Sequence, residues 1–175
     1  MVNSQKHLMF AVDQLPVMPK NVKLHAKKME RQNKAIELFR SGLSCAQAIL
    51  MAYGPDLDLP ESVASRLGSG LGGGIGRSQE VCGAINAAAM MLSMKYGNSQ
   101  PDDLESKDRA AERVSQFMKQ AAAEFGGVTC MRIVGFNMFT PEGKQKAAQL
   151  DVHKMICEHI VTRVAAILDE QIAKK

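Results

Sequence analysis

Four cysteines, Cys45, Cys82, Cys130 and Cys157, are the residues of this chain whose type most directly offers chemistry. They stand 37, 48 and 27 positions apart. No Cys-x-x-Cys pair is present, so neither a thioredoxin-type dithiol nor a zinc-ribbon spacing is written in the sequence. A single cysteine is most often a buried small hydrophobe. What favours a shared role is position. Cys45 follows Ser44, Cys130 follows Thr129, and Cys82 lies four residues beyond Ser78. All three fall in the first turn of an expected helix. There the unpaired N–H groups and the positive end of the macrodipole stabilise a thiolate, which is both the nucleophile and the metal ligand. Cys82 is therefore expected to be the most reactive thiol, with Cys45 its nearest partner and Cys130 and Cys157 as resolving cysteines or co-ligands. Cys157 is expected in mid-helix, with His153 one turn away on its face and His159 off that face.

A glycine-rich segment, Gly68 to Gly76, leads toward Cys82. It matches a dinucleotide fingerprint only in form. The residues before it, SVASRL, read as helix rather than the strand that fingerprint needs, and no Gly-Lys-Ser/Thr follows. A loop with little side-chain bulk permits positive φ and close backbone approach. Gly72, Gly73, Gly74 and Gly83 are accordingly candidate cofactor-binding positions, as a backbone nest for an anion.

The elements that must position these residues are helical. Ala and Met are abundant, β-branched runs are few, and no strand pattern is long enough for a sheet. The reading is an all-α, single-domain bundle of about five to seven helices. Helices are expected at Asn21–Arg40, from Cys45 to Tyr53 behind a Ser44/Gln47 capping box, from Glu61 after Pro60, and at Gln79–Tyr96. That last segment is apolar nearly all round, as a central helix should be. A long polar helix from Pro101 to about Phe125, short ones after Thr129 and Thr140, and a final one from Asp151 complete the set. Its apolar stripe is Val152, Ile156, Ile160, Val164 and Ile167. Residues 1–20, with Pro16 and Pro19, read as a flexible extension, and 21–175 as the cysteine-containing domain.

At 175 residues the chain needs no disulfide or metal to fold, which frees the cysteines for another task. Seven Lys/Arg against two acidic residues precede position 35, and 15 against 16 follow it. A basic face of Lys20, Lys23, Lys27, Arg31 and Lys34 is expected on the first helix, chiefly as a solvated stripe. The near-neutral body argues against a nucleic-acid partner. No transmembrane segment or secretory signal is evident, so a cytoplasmic address is expected, where cysteines are rarely structural disulfides.

These features together resemble the C_GCAxxG_C_C family of redox-active proteins. The resemblance is carried by SGLSCAQAIL around Cys45, GLGGGIGRSQEVCGAINAA around Cys82, Cys130 before MRIVG, and CEHIVTRVAAIL from Cys157. It spans about residues 35–170. One departure is Ala87, where the family's Cys-Gly-Ala-x-x-Gly element ends in Gly. The resemblance implies a helical domain with a thiol-redox or metal role. Three functions follow as expectations: disulfide exchange or electron transfer with a redox partner protein; zinc or iron–sulfur binding by the same four cysteines; or a non-catalytic interaction module accessory to a membrane system. A homo-oligomer is compatible with each.

Overall fold

The computed structural model describes residues 19–174. Of the expected N-terminal extension, residues 1–18 lie outside the described residues. Among the described residues eight α-helices form an all-α bundle, and two of them are short pieces beside the site.

The helix limits follow local chemistry closely. Helix α1 (Lys20–Arg40) ends in a Schellman motif: Gly42, at φ 99°, donates to Phe39 O, and Leu43 donates to Leu38 O. Helix α2 (Cys45–Tyr53) opens on the expected capping box. Gln47 N donates to Ser44 Oγ at 3.2 Å, and Ser44 N donates to Gln47 Oε1 at 2.9 Å. After a 3₁₀ turn comes α3 (Glu61–Ser69), entered through Pro60. The central helix is α4 (Gly83–Tyr96), followed by the long α5 (Leu104–Phe125), capped by Asp103. Helix α6 (Cys130–Val134) is capped by Thr129 and α7 (Pro141–Gln149) by Thr140. A π-turn (His153–Cys157) then runs into α8 (Glu158–Ala173).

Helix α4 buries Ala84, Ile85, Ala87, Ala88, Met91 and Leu92 against α2, α5 and α8. Apolar burial on this scale, at about 25 cal/mol per Å², is what holds a bundle together. Small alanines let the neighbouring backbones come close. Ala87, in the place of the family's glycine, is fully buried here. Helix α1 covers α2 and α8, and α3 lies on α2. A second, smaller apolar cluster gathers Cys130, Val134, Met138 and Val152, with Phe136, Phe139 and Cys157 against it. The final stripe is thereby divided. Val152 serves the small cluster, Ile160, Val164 and Ile167 serve the main core, and Ile156 touches both.

Two expectations are corrected. The central helix begins at Gly83, not Gln79. Residues 79–82 are held out of the helix instead by residues 128–131: Cys82 N donates to Val128 O, Cys130 N to Glu80 O and Met131 N to Gln79 O. Val81 and Thr129 form an isolated antiparallel bridge. The basic face of α1 is not simply a solvated stripe. Arg31 is buried and binds Asp169 at 2.5 Å and Asp56 at 2.8 Å, while Lys27 pairs with Asp56 and Lys34 with Glu61. No described helix is long and apolar enough to cross a membrane.

Candidate functional site

Cys45 is the first residue of α2, and Cys82 is the N-cap of α4. The two helix starts meet because Gly83 has no side chain. A Cβ there would lie 2.7 Å from Leu71 O and 2.8 Å from Cys45 Sγ. The Cys82 thiol donates a hydrogen bond to the Cys45 sulfur. Backbone amides of Ala84, Gly73 and Ala46 donate to the same sulfur. Hydrogen bonds to an ionised group favour ionisation, and here they outweigh desolvation. The Cys82 hydrogen bond is the largest influence, and the Cys45 thiol is lowered to about 7. Cys82 moves the other way. Its bond to Cys45, then burial, then the Cys45 charge hold it well above the ordinary thiol value. The pair is thus polarised, with Cys45 the more acidic thiol and Cys82 the less acidic one.

The glycine segment builds part of this cradle. Gly73, at φ 66°, turns an amide toward Cys45, and a Cβ there would strike the Phe139 ring at 2.6 Å. Gly72 packs on Ser44, and Gly74 on the backbone of residues 79–80. Of these glycines, Gly73 donates its amide to the Cys45 sulfur and Gly83 lies directly against it. Gln79 is nearly inaccessible and ties the loop to the small cluster. Its side chain donates to Phe136 O at 2.9 Å and accepts from Met138 N at 2.8 Å.

Cys130 opens α6, and Cys157 ends the π-turn. Burial raises Cys130 to about 11 and Cys157 to about 12, with the Cys45 charge adding to each. At neutral pH both are thiols. Cys157 is not within a regular α-helix, as expected, but at a π-turn, an irregularity frequent at functional sites. His153 lies in the same turn, edge-on to Phe39 at 6.3 Å. His159 lies apart, in the surroundings of Glu124.

All four cysteines line one cleft of about 1300 Å³ between the main core and the small cluster. All four are free thiols. Among the described residues no group of three or more His, Cys, Asp or Glu is arranged to hold a metal ion. Cys45 and Cys82 pack with the main core and Cys130 and Cys157 with the small cluster. The tetrathiolate zinc or iron–sulfur set expected as an alternative is therefore not assembled among the described residues.

Two contributors escape a sequence reading, the Ala84 amide and the side chain of Gln79, whereas Gly73 is among the glycines expected to form a backbone nest. Backbone donors carry no residue signature. The only hint is the density of glycine before Cys82.

Fold and site define a helical-bundle protein with a polarised cysteine pair at two helix starts. The chain belongs to the family described as "Putative redox-active protein (C_GCAxxG_C_C)", matched over residues 43–171. No curated protein and no solved structure matches it.

Proposed function

We propose that this protein carries out thiol–disulfide exchange, with Cys45 as nucleophile and Cys82 as its resolving partner. The observation that carries the reading is the hydrogen bond from the Cys82 thiol to a Cys45 sulfur whose pKa is lowered to about 7. A thiol poised near ambient pH combines thiolate population with nucleophilicity. This exchanges the roles expected from sequence, in which Cys82 led.

The Cys45 thiolate attacks one sulfur of a partner disulfide. The partner's S–S bond breaks, and one partner thiolate leaves with the electron pair and takes a proton. Cys82, losing its proton to solvent, attacks the Cys45 sulfur of the mixed disulfide and expels the second partner thiol. The protein dithiol is oxidised to Cys45–Cys82, and the partner disulfide is reduced to two thiols. Cys130 and Cys157, protonated and facing the same cleft, are slower resolving thiols.

The test is thiol counting and peptide mapping after exposure of the reduced protein to hydroxyethyl disulfide. Loss of two thiols as a Cys45–Cys82 bond is expected. Cys82→Ser should stop at the Cys45 mixed disulfide. Four thiols that stay reduced across roughly −350 to −150 mV would sink the proposal.

A further inference from the structure

The charged residues lining the cleft are unlike the rest of the body. Arg40, Arg77, Lys144 and Lys154 face Asp151 and Glu158 there, a net of +2. From position 35 onward the chain as a whole carries 15 Lys/Arg against 16 Asp/Glu, a net of −1. Arg40 is engaged by Glu158, with Nε at 2.9 Å from Oε1. Arg77, Lys144 and Lys154 have no ion-pair partner among the described residues, although Lys154 adds to the field that lowers Glu158. They come from three separate elements: the glycine loop, α7 and the π-turn. All three side chains are exposed, whereas the interior of the cleft is apolar, with Val134, Met138 and Phe139.

An excess of one charge sign around a low-dielectric cleft raises the local concentration of opposite charge. The Cys45 thiolate itself repels anions, so the cations also offset that repulsion. The volume suits a ligand of several hundred daltons rather than a one- or two-atom oxidant. We propose that the cleft selects a low-molecular-weight disulfide bearing carboxylates, held by Arg77, Lys144 and Lys154 while its S–S bond reaches Cys45. This rests on the thiol-exchange reading above. The disulfide accepts two electrons and two protons and leaves as two carboxylate-bearing thiols, while Cys45 and Cys82 become joined.

The experiment measures the rate of Cys45–Cys82 formation in the full chain with oxidised glutathione (anionic), hydroxyethyl disulfide (neutral) and cystamine (cationic). Each rate is divided by that of a small free thiolate with the same disulfide. At low ionic strength the normalised rate for oxidised glutathione should exceed that for hydroxyethyl disulfide by about tenfold or more. Cystamine should be slowest, and the spread should shrink as salt rises. In the double variant Lys144→Glu/Lys154→Glu the order should invert, with cystamine fastest, which a chain that merely failed to fold would not do. Equal normalised rates for all three, with the disulfide still forming, overturn the selectivity and leave the thiol reading standing. Failure of all three to join Cys45 and Cys82 removes that reading, and this one with it.

Discussion

Gly83 stands against the Cys45 sulfur so closely that a Cβ would lie 2.8 Å from it. The same Cβ would meet Leu71 O at 2.7 Å, and that atom is backbone. Gly83→Ala should therefore push α2 and α4 apart. Overpacking of this kind costs about 1–3 kcal/mol. Urea denaturation should show that loss, and alkylation of Cys45 at pH 7 should slow with it. An alanine variant of wild-type stability and reactivity would mean that the helices are not held by this contact.

The thiol pair has a pH signature. Alkylation of Cys45 by iodoacetamide should reach half its maximum near pH 7, where its thiolate forms. Cys82→Ala removes the largest influence lowering that value, so the midpoint should move up toward 9.0. At pH 7 the rate should then fall by about tenfold, since the smaller thiolate fraction is partly offset by greater nucleophilicity. Cys82→Ser keeps a donor and should keep most of the low midpoint. Equal midpoints in the alanine and serine variants would refute the role of the hydrogen bond.

Stability should follow the same ionisation. Cys45 loses its proton near 7 when folded and near 9.0 when unfolded. Its contribution is full above the unfolded value and is lost as pH falls through about 7. Cys82, Cys130 and Cys157 are raised, so their contribution is present below the unfolded value and is lost as pH climbs past it. Urea midpoints should therefore rise from pH 6 toward 8 more in the wild type than in Cys45→Ala. The two proteins should show parallel curves if Cys45 has no shifted ionisation.

Gln79 joins the glycine loop to the α6–α7 unit through two backbone partners. Gln79→Ala leaves the buried Met138 N–H unpaired, which costs about 1–3 kcal/mol. The loss should concentrate in residues 130–149, because α6 and α7 pack mainly on their own small cluster. Hydrogen exchange there should accelerate before exchange in α4. Uniform acceleration across the chain would contradict a local tether.

Asp169 and Arg31 form a buried ion pair between α8 and α1, with Arg31 over the Tyr53 ring at 5.1 Å. Asp169→Ala should cost about 3 kcal/mol by leaving Arg31 buried and half-paired. The double variant with Arg31→Met should recover most of it. A double variant no more stable than Asp169→Ala would show that packing, not charge, dominates.

Local features of the fold are legible in the sequence. Ser44 with Gln47, Gly42, Thr129 and Thr140 all act within four residues, so the limits of α1, α2, α6 and α7 can be read from side-chain chemistry alone. The apolar composition of Ala84 to Leu92 marked α4 as central, because only a buried helix can lack a polar face. Family and helical class were legible for the same reason, being carried by short motifs around each cysteine. The start of α4 was not legible. Residues 79–82 exchange backbone bonds with 128–131, and no local propensity encodes a partner some fifty positions away. The direction in which the two thiols are polarised follows from the tertiary structure alone. Both Cys45 and Cys82 stand at helix starts, so their local signals are alike. The asymmetry comes from where α4 lies against α2: the Gly73, Ala84 and Ala46 amides and the Cys82 thiol act on the Cys45 sulfur, whereas at Cys82 the bond to Cys45, burial and the Cys45 charge outweigh the Ala84 and Ile85 amides.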